Sequence, residues 1–204
     1  MRARSPTVTS LFIPLLEDWL RALVATPGLT GISDLTDARH MLLEDSLRAV
    51  DVVAGFEGPI VDVGSGGGVP GIPLAVSLPD REVTLLEAIG RKCDFLREWA
   101  QPNVRVVQGR AEEQETDAYG VAVAKALAKP PVAAEWCLPL VRPGGAVVLW
   151  VGPSVDRARV ARVAEQVGGE LAESSGGLLV LRKVRPTPQG FPRRTGVASK
   201  RPLD

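Results

Sequence analysis

Histidine occurs once in 204 residues, at His40, and cysteine twice, at Cys93 and Cys137. Two distant thiols without a C-x-x-C neighbour exclude a disulfide framework and a zinc knuckle, and no bound metal is expected. Aromatic residues make up 4% of the chain against 45% hydrophobic residues. The core should therefore be built from Val, Leu and Ala, and Trp19, Trp99, Trp136 and Trp150 are expected to pack within it. Long apolar runs are missing too. The opening "MRARSPTVTSLFIPLLEDWL" is interrupted by Pro14, Glu17 and Asp18, and no run approaches the roughly 20 apolar residues of a membrane span. The pattern is that of a cytoplasmic protein with no membrane partner.

Net charge is also absent, since 24 basic residues balance 24 acidic ones. One stretch breaks that balance. From Arg182 to Arg201 there are seven basic residues and no acid, so charge is segregated towards the C-terminal end. A basic segment of this kind suits phosphate backbone, where each neutralised phosphate adds salt-sensitive affinity. Arg193, Arg194, Lys200 and Arg201 are the candidate RNA contacts, and a solubilising terminus is the alternative.

The remainder reads as an α/β chain. Leu11, Leu15, Trp19, Leu20 and Leu23 are at helical spacing, and a second helical pattern runs from about residue 34 to 53, giving an N-terminal helical element over residues 1–55. Strand patterns follow at 59–63, 82–87, 103–107, 121–125, 146–151 and 177–184, with helical patterns between them. Strand alternating with helix predicts a mostly parallel central sheet with helices on both faces, here a core over 59–184, followed by a basic tail over 185–204.

The first strand runs into "VDVGSGGGVPGIP", residues 61–73. Asp62, Gly64, Gly66 and Gly68 form D-x-G-x-G-x-G at a strand-to-helix turn, the edge where open α/β sheets bind ligands. Glycine there lets backbone turn sharply and approach a ligand closely. "GGGVPG" also satisfies the dinucleotide pattern G-x-G-x-x-G, while the absence of G-K-[ST] excludes a phosphate-cradling P-loop. Asp62 ahead of the glycines and the long helical element before the first strand favour S-adenosylmethionine over NAD. Glu87 closes the second strand, where a carboxylate accepts the ribose hydroxyls of either cofactor. Ala111 and Glu112, after the third strand, stand where a loop would lie against adenine.

These residues resemble a specific family, the bacterial 16S rRNA guanine-N7 methyltransferases known as glucose-inhibited division protein B. The resemblance is carried by "DVGSGGGVPGIPLA", "TLLEAIGRKCDFLRE", "VVQGRAEE", "AKALAKP" and "FPRRTGVASKRPL", in order over residues 59–203. It implies a Rossmann-like class I methyltransferase, with an N-terminal helical extension, that uses S-adenosylmethionine to methylate N7 of a guanine in 16S rRNA. The implied cofactor site comprises Gly64, Val69, Glu87, Ala111, Glu112 and Lys125. The substrate would be 16S rRNA or the 30S subunit, and the protein a single-domain monomer. No general base is expected, because guanine N7 carries a lone pair and no proton. The chain departs from the family pattern at Trp19-Leu20 and Gly28-Leu29-Thr30, which match W-N and N-L-T only in fragments, and in three further places. Lys125 stands where members carry arginine, Gly120 where they carry an acid, and "RHMLLEDSL" has extra residues between His40 and Asp45. Two other readings stay open: a class I methyltransferase acting on another RNA or a small molecule, and a non-catalytic cofactor-binding module on ribosomal particles.

Overall fold

The structure, a computed structural model, describes residues 6–204. Residues 1–5 of the expected N-terminal element, and the side chain of Leu11, lie outside the described residues. Helix α1 (Pro6–Ala25) turns Trp19, Leu20 and Leu23 inward, and each is at most 1% exposed. The chain resumes as helix at α2 (Leu35–Ala38), whose start is capped by Asp34, accepting from the amides of Thr36 and Asp37 at 2.8 and 3.0 Å. A π-helical turn over Arg39–Glu44 follows, then the short helices α3 (Asp45–Leu47) and α4 (Val50–Ala54). The pattern read as one helix over 34–53 is thus four pieces. A π turn holds one residue more than an α turn, and it falls in the segment that carries extra residues between His40 and Asp45.

The core alternates strand and helix: β1 (Ile60–Val63), α5 (Gly71–Ser77), β2 (Val83–Glu87), α6 (Gly90–Glu98), β3 (Val104–Gln108), β4 (Tyr119–Ala124), α7 (Pro130–Cys137), β5 (Val141–Trp150), α8 (Arg157–Gln166), β6 (Gly169–Ser175) and β7 (Leu178–Lys183). A last helix, α9 (Val197–Lys200), lies in the tail. The sheet order is β3-β2-β1-β4-β5-β7-β6. Strands β1 to β5 are parallel, and β7 inserts antiparallel to both β5 and β6. The mostly parallel sheet expected from the alternation is present. Strand β6 was not expected, because "GELAESS" carries two acids and two serines in place of an apolar run. It is an edge strand, where charge guards an open ladder and weakens the hydrophobic signal.

Alternation along the strands feeds two cores. Ile60, Leu85, Val121, Val123 and Val148 face α1, α5 and α6, while Val61, Val63, Ala122, Val147 and Leu179 face α7 and α8. Period two places Asp62 on the side of Ile60, towards α1 and α5.

The basic tail is docked. Lys183, at the end of β7, is buried, and its ammonium donates to the Leu138 carbonyl and the Thr187 hydroxyl, both at 2.7 Å, and pairs with Asp117 at 3.1 Å. Burial pushes the Lys183 ammonium below its ordinary range, partly offset by Asp117. Burial acts to raise the Asp117 carboxyl, but bonds from the Thr187 amide and hydroxyl, with Lys183, outweigh it and hold the group low. Replacing Lys183 with Met leaves the Leu138 carbonyl and Asp117 short of a partner. We predict a loss of about 2–4 kcal/mol of folding stability in urea unfolding, and an unchanged midpoint would contradict this assignment.

Candidate active site

The strand order fixes where a ligand can enter. The chain winds outward from β1 through β2 to β3, then returns to place β4 on the other side of β1. At such a reversal the loops after neighbouring strands diverge and leave a crevice at the carboxyl ends. A cleft of about 320 Å³ is found there, lined by Gly64, Glu87, Lys92, Ala111, Glu112 and Trp136 among others. A larger cleft of about 470 Å³, lined by Pro59, Glu82, Asn103 and Tyr119, opens at the amino ends of the strands. Size does not decide between them. Only the carboxyl edge gathers the glycine loop and the strand-end acid.

The glycine loop is fixed from both sides. In front, the Glu87 carboxylate accepts from the Gly66 and Ile89 amides, both at 2.9 Å. Behind, the Trp19 indole donates to the Gly67 carbonyl at 3.0 Å. Beneath, the buried Asp62 Oδ2 accepts from the Gly71 amide at 3.0 Å, and the Ser65 hydroxyl donates to the Asp62 carbonyl at 2.9 Å.

Space separates the glycines by role. A Cβ at Gly67 would overlap Leu23, and one at Gly68 would overlap Ile72. At Gly71 it would meet Leu85 and stand 2.6 Å from Asp62 Oδ2. These three let helices α1 and α5 close on the loop. At Gly66, φ is +57° and the nearest atom to a Cβ is 3.9 Å away, so this turn of backbone faces open space.

The structure therefore gathers some of the sequence candidates and separates others. Gly64, Glu87, Ala111 and Glu112 line the cleft, and Gly66 is tied to it through the bond from its amide to Glu87. Asp62 and Gly68 are buried beneath the loop, so they shape it and do not face a ligand. Val69 packs against the core beside α1 and α5. Lys125 is directed elsewhere: its ammonium pairs with Asp45 at 2.5 Å and donates to the Met41 carbonyl, tying the end of β4 to the π-helical turn. His40 is exposed and bonded to Glu44 at 2.6 Å, a surface pair.

Arg193 also departs from expectation. Its Nε and Nη2 reach the two oxygens of Glu135 at 2.5 and 2.6 Å, and Glu135 is 2% exposed. A guanidinium spent on a buried carboxylate is not free for phosphate. Arg194, Lys200 and Arg201 are exposed. Several cleft residues were missed from sequence, Lys92, Arg110, Leu127 and Trp136 among them. Trp136 packs against the core on the α7 and α8 side, as expected, and also lines the cleft. Lys92 lies in the turn that opens α6, with no pattern to mark it. Among the described residues no group of three or more metal-ligating side chains forms, and no helix is long and apolar enough to cross a membrane.

A family profile described as rRNA small subunit methyltransferase G matches residues 13–166. The Ribosomal RNA small subunit methyltransferase G of Symbiobacterium thermophilum is 34% identical, over 95% of this chain and 88% of its own length. That of Rubrobacter xylanophilus is 38% identical, over 87% and 74%. Among solved structures, the T. Thermophilus 16S rRNA N2 G1207 methyltransferase, in complex with AdoMet and guanosine, is similar with a TM-score of 0.50 at 18% identity. The likeness covers 72% of this chain and 40% of that one, and it bears on the fold alone.

Asp62 leaves a measurable trace. Burial raises its carboxyl to about 7, against the opposing pull of the Gly71 amide and Ser65 and with a small push from Glu87. Among the described residues its Oδ1 has no hydrogen-bond partner. An unfolded aspartate ionises near 3.8, so between about pH 4 and 7 the folded state holds more protons and stability falls as pH rises. Asp62→Asn removes that slope. Relative to wild type, the variant should gain about 2–3 kcal/mol between pH 5 and pH 8 in urea unfolding at the two pH values. A difference that does not change with pH would contradict this.

Proposed function

Because the chain belongs to the family of rRNA small subunit methyltransferase G, we propose that it transfers a methyl group from S-adenosylmethionine to N7 of a guanine in 16S rRNA. The observation that carries this reading is the loop at residues 64–71, with an open side at Gly66 and the Glu87 carboxylate bonded to that same backbone. The residues fit the cofactor. A side chain at residue 66 would fill the space that the loop leaves free. Each Glu87 oxygen accepts one backbone amide and keeps lone-pair capacity for a ribose hydroxyl. The amides orient the carboxylate in advance, so less is lost in ordering it when the ligand arrives. Ala111 and Glu112 form the wall beside the adenine, and Lys92 and Trp136 complete the cleft.

When bound, S-adenosylmethionine supplies an electrophilic methyl group on a sulfonium. The protein has to bring guanine N7 into line with that methyl and exclude water. N7 has a lone pair and no proton to lose, so no side chain is needed as a general base, and the lone exposed His40 is not called upon. Alignment of the two reactants supplies the acceleration. Positive charge is relocated without an anion being formed, so a fixed electrostatic environment suffices.

Arg194, Lys200 and Arg201 supply the exposed cations for RNA backbone, and we place them at the substrate surface of a single-domain, cytoplasmic monomer acting on the 30S subunit or its free rRNA. The test incubates the protein and labelled cofactor with 30S subunits and with free 16S rRNA from a strain lacking the endogenous enzyme. Nucleoside mass spectrometry should find 7-methylguanosine in one of them. Calorimetry should show S-adenosylhomocysteine binding and no NAD binding. Methylation at another guanine atom would overturn the N7 assignment, and binding of NAD alone would overturn the methyltransferase reading.

A further inference from the structure

Three residues of the tail are bonded to the walls of the cleft. Arg193 forks onto Glu135, the residue before Trp136 on α7, and Trp136 lines the cleft. The Gly196 amide donates to Glu112 Oε1 at 3.0 Å, and Glu112 lines the cleft on another side. The Thr195 hydroxyl donates to Glu113 at 3.2 Å in the same 3₁₀ turn, Ala111–Glu113. Arg193 Nη2 also donates to the Arg201 carbonyl at 2.9 Å, which holds the tail's own bend closed.

From these contacts we infer that Arg193 and Thr195 are positioning residues for the cofactor cleft. They act through Glu135 and Glu113 to fix α7 and the 111–113 turn relative to each other. The inference rests on the functional reading above and extends it to residues that touch neither cofactor nor reacting atoms. The two walls come from separate parts of the chain, one after β3 and one after β4. Among the described residues the tail is bonded to both. A planar guanidinium meeting both oxygens of a carboxylate fixes direction as well as distance, which a single ammonium cannot do. Thr195 is exposed and contributes little to the core, so its hydroxyl can be removed without unfolding the protein.

The experiment compares wild type, Arg193→Lys and Thr195→Val. For each it records S-adenosylhomocysteine affinity by calorimetry, cofactor KM and kcat on the RNA substrate, the salt dependence of RNA binding, and the melting temperature. Arg193→Lys should weaken cofactor binding about tenfold, with kcat at saturating cofactor within about twofold of wild type. Thr195→Val should weaken it about twofold to threefold with an unchanged melting temperature. Both should keep the wild-type salt slope for RNA. Unchanged cofactor affinity in both variants would overturn the inference, whether or not the melting temperature falls. A shallower RNA salt slope in Arg193→Lys with intact cofactor affinity would also overturn it, by returning Arg193 to the phosphate surface. Failure of the wild-type protein to bind S-adenosylhomocysteine would be a different result, overturning the functional reading and this inference with it.

Discussion

The backbone of residues 64–71 is clamped between an indole, a buried carboxylate and a strand-end carboxylate, and the cleft depends on that clamp. A run of glycines has no side chains to hold it in place, and free glycine backbone is entropically costly to order. The order is supplied by neighbours. Trp19 takes the Gly67 carbonyl, Asp62 the Gly71 amide, and Glu87 the Gly66 amide. Leu23, Ile72 and Leu85 fill the places where Cβ atoms would stand at Gly67, Gly68 and Gly71. One side is packed shut and the other, at Gly66, is left clear for a ligand. The N-terminal helix therefore shapes the glycine loop through Trp19 and Leu23, even though none of its described side chains lines the cleft.

The same economy governs charge. The chain carries as many acids as bases, and near the cleft many are joined to each other or to backbone. Glu87 holds amides, Glu135 holds Arg193, Glu112 holds the tail through Gly196, and Asp45 holds Lys125. Glu87 and Glu135, the buried members of this set, are tolerated because each has a partner, and removing one partner of a buried pair costs far more than the pair contributes. The basic stretch from β7 to the tail is therefore two things. Lys183 and Arg193 are internal ties, while Arg194, Lys200 and Arg201 are exposed.

Much of this was legible in the sequence. The strand-helix alternation gave the parallel sheet, because buried parallel strands are apolar runs that stand out against their surroundings. The glycine loop and Glu87 were legible because their type and spacing answer to a ligand. Strand β6 was not, since an edge strand carries the polar residues of a loop. The roles of Asp62, Arg193 and Lys125 were hidden for another reason. A charged residue in a motif looks like a ligand contact, and only the fold shows whether its partner is Gly71, Glu135 or Asp45. Trp136 packs against the core as its helical spacing implies, and its second place, in the wall of the cleft, had no sequence signal.

The most direct test of the clamp is Trp19→Phe, which keeps an aromatic ring in the core and removes the donor to the Gly67 carbonyl. Calorimetric titration with S-adenosylhomocysteine should show binding weakened about tenfold, the cost of leaving one buried carbonyl without its partner. A folded variant that binds as tightly as wild type would contradict the account, since the open side of the loop would then not depend on how its far side is held.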